Sequence, residues 1–291
     1  MLPKEILAKI RRIEITTSKL VTDFLAGQYE SVFKGRGIEF DEVREYQPGD
    51  EIRSIDWNVT ARMGHPFVKK YIEERQLTVM IMLDASGSSY FGTSKHFKSE
   101  VAAEAAAVLA FAAIKNNDRV GLVIFTDKIE KFIPPRKGRQ HVLRVIREAL
   151  YFKPSGKGTD IAGALRYLDG VTARRAVTFI ISDFFAKDFK RELSVANKKH
   201  DIIAITITDP REKELPNVGL IDLRDAETGD FFMVDSSSAK VREAYRSKFT
   251  RMAALRSQLF GSTSVDHIDI MTDKPYIEEF IKFFRMRKRR I

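Results

Sequence analysis

The chain of 291 residues contains no cysteine, one tryptophan and five histidines. Without cysteine there can be no disulfide, no thiol nucleophile and no zinc–thiolate site, a composition that fits a reducing cytosol. Long apolar runs are also missing. The longest, from Ala105 to Ile114, has ten residues, half of the about 20 that a membrane-spanning helix needs. The opening Met1-Leu-Pro-Lys-Glu-Ile-Leu7 mixes charge into its apolar residues and lacks a signal-peptide core. The expected location is therefore cytoplasmic, with peripheral contact at the inner face of the membrane as the alternative.

The formal net charge is +10, yet six of those charges (Lys282, Arg285, Arg287, Lys288, Arg289 and Arg290) fall in the last ten residues. The body of the chain is only mildly basic, which disfavours nucleic acid as a partner. The basic end is expected to be a solvated tail, or alternatively a contact for anionic lipid.

Residues 3–25 carry apolar residues at helical spacing behind Pro3, and residues 27–76 read as a small, charge-dense β unit containing runs Ile38–Tyr46 and Phe67–Ile72. Its arginines 44, 53, 62 and 75 are candidates for an acidic partner; in the alternative reading the unit is structural, with Trp57 packed in a seam. From Leu77 onward strands and helices alternate. Strands are expected at 77–83, 119–125, 175–182, 201–207, near 231–234 and near 265–270, with a hairpin return at Lys128–Pro134. Helices are expected at 95–116, 138–151, from Thr159-Asp160, at 187–199, at 236–259 and after Pro275. The last helix presents Ile277, Phe280, Ile281 and Phe284 as an apolar stripe. This alternation predicts an α/β fold with a doubly wound, mostly parallel sheet covered by helices on both faces. The expected division is 1–76, a helix and small β unit; 77–272, the α/β domain; and 273–291, a terminal helix with its basic tail.

The segment Leu77-Thr-Val-Met-Ile-Met-Leu-Asp84-Ala-Ser86-Gly-Ser88 ends a buried strand in one carboxylate and two hydroxyls. A second apolar strand, Ala176–Ile181, ends in Ser182-Asp183, and Thr159 follows the Gly-rich Pro154-Ser-Gly-Lys-Gly158 at a helix start. If the two strands are neighbours, Asp84, Ser86, Ser88, Thr159 and Asp183 converge as five hard oxygen donors suited to Mg²⁺, with Mn²⁺ or Ca²⁺ as alternatives. The competing reading makes Ser86 and Thr159 caps and the aspartates strand ends.

Asp84-x-Ser86-x-Ser88, Gly158-Thr159-Asp160 and Ser182-Asp183 together resemble the metal-ion-dependent adhesion site of von Willebrand factor A domains. Gly35-Arg-Gly-Ile-Glu-Phe-Asp-Glu-Val-Arg-Glu-Tyr-Gln-Pro-Gly-Asp50, Ile55-Asp-Trp-Asn-Val-Thr-Ala-Arg62, Glu73-Glu-Arg75 and Phe91-Gly92 resemble the bacterial family called domain of unknown function 58. The resemblance implies a non-enzymatic, metal-dependent protein-binding module. Ser86, Ser88 and Thr159 would touch the metal, Asp84 and Asp183 would act partly through water, and a partner's acidic side chain would take the remaining position. It also implies a MoxR-type AAA+ ATPase as partner, in a chaperone-like or complex-maturation role. Many relatives carry membrane spans near the N-terminus; none is visible in this sequence.

Enzymatic readings fit less well. A phosphotransferase with Asp84 as nucleophile would want a second carboxylate where Ser86 stands. Ser155-Gly-Lys-Gly-Thr-Asp160 fails the phosphate-loop pattern because Gly158 separates Lys157 from Thr159. Histidines 65, 96, 141, 200 and 267 lie in no recognisable nucleophile–base motif.

Overall fold

A computed structural model describes residues 39–72, 76–93 and 96–290. The helix expected over 3–25 and the Glu73-Glu-Arg75 motif lie outside them.

The centre of the fold is β3 (Thr78–Asp84). Its side chains alternate between two cores, as the pleat requires. Val79, Ile81 and Leu83 join one cluster with the alanines of α2 (Lys98–Lys115) and the phenylalanines of α8 (Tyr276–Lys288). Met80 and Met82 join the other with α4 (Ile161–Val171), α5 (Lys190–Lys199) and Phe260 of α7 (Ala239–Ser262). Both faces are covered, so the strand carries no polar alternation and reads as an unbroken apolar run.

The sheet has six strands in the order β10-β7-β6-β3-β4-β5. β3 pairs in parallel with β4 (Arg119–Phe125) and β6 (Val177–Ser182). β7 (Asp201–Thr208) and β10 (Asp266–Met271) extend the parallel side. β5 (Ile129–Arg136) is the antiparallel edge, and its register slips where Pro134-Pro135 opposes Val120–Leu122. Proline has no N–H for a ladder, so it belongs at an edge. From β3 the chain first moves to β4 and β5, packs α3 (Arg139–Tyr151) and α4, and then crosses to β6 on the other side. The winding therefore reverses between β3 and β6, and the crevice at their carboxyl ends is where doubly wound sheets bind ligands.

The small N-terminal unit is a hairpin of β1 (Glu39–Glu45) and β2 (Phe67–Ile72) enclosing the short helix α1 (Trp57–Met63). Asp56 caps α1 by accepting from the amides of Asn58 and Val59. Trp57 opens that helix and is 66% exposed, so it is not the seam residue that one reading expected; the cap fixes the helix start and leaves the indole facing outward. Arg44, a candidate for an outside acidic partner, makes a two-pronged bond to Asp50 at 2.8 and 2.6 Å.

Two further elements were not expected. A one-turn helix, α6 (Pro210–Lys213), follows β7. The strand near 231–234 is β9 (Phe231–Asp235), and it has an antiparallel partner, β8 (Leu220–Arg224). The basic C-terminus is not a loose solvated tail. It continues α8 to Lys288, where Arg287 bonds Asp201 at 2.5 Å and Arg290 pairs with Asp266 at 3.1 Å. The acidic ends of β7 and β10 supply the counter-charges that hold it.

Candidate metal centre

Asp84 is the last residue of β3, and Asp183 follows the last residue of the adjacent β6. Both residues are 5% exposed. One oxygen of Asp84 accepts from the Ser86 amide at 2.9 Å, and the other accepts from the Ser182 hydroxyl at 2.6 Å. Those donors are neutral, and burial together with the nearby charge of Asp183 pushes the Asp84 carboxyl up to about 6. Burial works against Asp183 as well, but the Lys98 ammonium, 2.7 Å away, holds that carboxyl below its ordinary range.

Lys98 lies on α2 with 3% of its side chain exposed, and it also bonds Glu212 of α6 at 2.7 Å. Burial alone would push its ammonium down; the charges of Asp183 and Glu212 outweigh that and hold it up. Burial leaves Glu212 raised despite the lysine. The strong pair is thus Lys98 with Asp183, and among the described residues Asp84 has no cationic side chain bonded to it.

The hydroxyls sit on the same lip. After Asp84 the chain makes one 3-10 turn over Gly87–Tyr90, with the Ser86 and Ser88 oxygens 3.1 Å apart. Ser88 also bonds Asp183. Thr159 comes from the Gly-rich loop. Glu130 of β5 pins that loop by accepting from the amides of Gly156 and Ser155 at 2.7 and 3.0 Å and from the Ser155 hydroxyl. A side chain at Gly156 would run into Thr126 and Asp127, which is why the loop can lie so flat there. The loop is tied to the serine turn through the Gly87 amide, which donates to the Lys157 carbonyl at 2.8 Å. The Thr159 hydroxyl donates to Glu227 at 2.9 Å.

Asp160, not Thr159, caps α4, accepting from Gly163 N at 2.8 Å. Ser86 precedes the one-turn helix but makes no side-chain cap bond. Hydrogen bonds join Asp84, Ser86, Ser88 and Asp183 at one crevice, and Thr159 reaches it through its loop. Sequence reasoning missed Ser182, Lys98, Glu212 and Glu227. Ser182 was visible as the neighbour of Asp183; the others reach the site from distant segments.

The donor set fits a hard divalent cation. Two ligands at about 2.0–2.1 Å and at right angles on an octahedral ion lie about 3 Å apart, and the Ser86 and Ser88 oxygens stand at 3.1 Å. The buried Asp84 also has no cationic side chain bonded to it among the described residues. Among the described residues no three His, Cys, Asp or Glu side chains cluster as a metal-binding group; the five donors expected from the sequence bring two carboxylates and three hydroxyls.

A six-stranded, mostly parallel sheet covered by helices on both faces, with oxygen-rich loops at its switch point, defines a doubly wound α/β domain. The chain belongs to the family described as protein of unknown function DUF58, which matches residues 42–254. It is 33% identical to the uncharacterized protein Rv1480 of Mycobacterium tuberculosis, across 97% of this chain and 90% of that protein. Among solved structures it is similar in fold to an aerotolerance-related membrane protein from Bacteroides fragilis. That match has a TM-score of 0.51 at 15% identity and covers 74% of this chain and all of that one (100%). The SpRpn10 VWA domain aligns over 71% of this chain and 94% of its own, with a TM-score of 0.39 and 10% identity.

Proposed function

We propose that this protein is a non-enzymatic adaptor that binds a protein partner through a divalent cation, Mg²⁺ first. Ser86, Ser88 and Thr159 would hold the ion directly, and Asp84 and Asp183 would balance its charge, partly through water. The ion would supply positive charge and an open ligand position for a partner's carboxylate. The observation that carries this reading is the pair of serine oxygens 3.1 Å apart beside a buried Asp84 whose bonds, among the described residues, come from neutral donors. Among the described residues, the two Asp84 oxygens already accept bonds from Ser86 and Ser182, and Lys98 is a charged ammonium committed to Asp183 and Glu212.

The family resemblance supports a MoxR-type AAA+ ATPase as the partner, with a role in chaperoning or maturing a complex. Among the described residues no helix is long and apolar enough to cross a membrane. The reading based on anionic membrane or nucleic acid loses part of its charge, because Arg287 and Arg290 are engaged by Asp201 and Asp266.

Calorimetry with Mg²⁺ and Mn²⁺ tests the core of the proposal. One saturable site per chain, lost in Asp84→Ala with the fold intact by circular dichroism, is the expected result. Equal binding by wild type and variant would sink it. For the partner, binding to a purified MoxR-type ATPase should require the divalent ion and vanish in EDTA.

A further inference from the structure

The β8–β9 hairpin places its tip on the candidate metal centre. A side chain at Gly87, between the two serines, would overlap the Ala226 carbonyl, so the hairpin backbone lies directly against the serine turn. The next residue, Glu227, accepts the Thr159 hydroxyl at 2.9 Å. This presentation is built into the tip. Asp225 accepts from the amides of Glu227 and Thr228, both at 2.9 Å, and its own amide donates to the Asp230 carbonyl at 2.8 Å. The turn is fixed, and it holds one carboxylate toward the threonine.

We propose that Glu227 is an internal acidic ligand of the centre, holding in cis the position that a partner's carboxylate would take. The inference rests on the metal-binding reading above and adds a competitor to it. A hydroxyl that ligates a cation keeps its proton, and Glu227 already accepts that proton from Thr159 at 2.9 Å, which is also about the spacing of two adjacent ligands on one octahedral ion. Partner binding then requires the hairpin tip to lift. The hairpin is suited to that. Leu220, Phe231 and Met233 on its outer face are exposed at 70%, 70% and 74%, while Ile221, Leu223 and Val234 on its inner face are only half-buried. Few buried apolar contacts mean a low cost of local opening.

The test uses the full chain with Mn²⁺ as the probe and water-proton relaxation as the readout, because relaxivity reports exchangeable water on the ion. Glu227→Ala, with Glu227→Gln as the conservative control, should raise the relaxivity of the bound ion and weaken Mn²⁺ affinity at least about tenfold, since losing a ligand costs no less than losing the outer-shell partner of one. Acetate should then displace the new water in Glu227→Ala and leave the wild type unchanged. If the wild type binds Mn²⁺, Asp84→Ala does not, and both Glu227 variants match the wild type in affinity and relaxivity, the internal ligand is refuted while the metal centre stands. If the wild type and Asp84→Ala alike bind no Mn²⁺, the metal centre is refuted and the internal ligand with it.

Discussion

Asp84 and Lys98 answer the same problem in opposite ways. Each is a charged group taken out of water, which is costly unless it is paired. Lys98 is paired twice, and Asp84 only with neutral donors. With its carboxyl pushed from 3.8 to about 6, the folded state of the metal-free protein favours protonated Asp84. Its stabilising contribution is full below the unfolded value and is lost as pH rises through the folded one, a change of about 3 kcal/mol. Denaturant titrations in EDTA at pH 4, 5, 6 and 7 should show Asp84→Asn gaining on wild type as pH rises; parallel curves would contradict the assignment. Lys98→Met should cost about 3–5 kcal/mol at pH 7, because it leaves buried carboxylates without their cation. A loss below 1 kcal/mol in the same titration would mean that water reaches the site. Neither role was legible in the sequence. Lys98 meets its two partners across 85 and 114 residues, and nothing local distinguishes it from any other lysine near a helix start.

The elements were more legible where burial is uniform. β3 and β6 have both faces covered, so their apolar runs stand out and end where the aspartates begin. β4 with its antiparallel return to β5, and the helix behind Asp160, were equally readable. The β8–β9 hairpin was not. Leu220-Ile-Asp-Leu-Arg224 is short and alternating, and its turn lacks the Asn-Gly signal that marks a tight hairpin. Missing that strand meant missing Glu227, since a glutamate in an unstructured loop points nowhere. The hairpin's seating depends on Gly87, and Gly87→Ala should push the tip off the serine turn because the obstructing atom is backbone. Hydrogen exchange of the 225–230 amides should accelerate in that variant while β3 and β6 stay protected. At the other end, α8 buries Phe280 and Phe284 at 0% and 1% exposure. Phe284→Ala should cost about 3–5 kcal/mol, measurable by denaturation. α8 is thus part of the core, and removing 285–291 would take away Arg287 and its bonds to Asp201 and Asp266.

On the scale of the whole molecule, the sheet is a platform with its chemistry confined to one lip. The reversal between β3 and β6 opens a crevice there, and three segments converge on it: the serine turn, the loop pinned by Glu130, and the β8–β9 tip. A fourth connection, the one-turn α6, closes the back through Glu212. Asp209, fully buried beside it, accepts from Thr93 and Thr272 and ties that connection to the start of α2 and the end of β10. Because the lysine amine is already seated among these acids, the scaffold carries its own counter-ion. The apo chain should give the same far-UV spectrum and one cooperative melt with or without EDTA, unlike small zinc domains that collapse on chelation. A cation bound in the crevice would then be a passenger on a finished vehicle: it could board and leave without the frame coming apart, and its occupancy would be free to carry information.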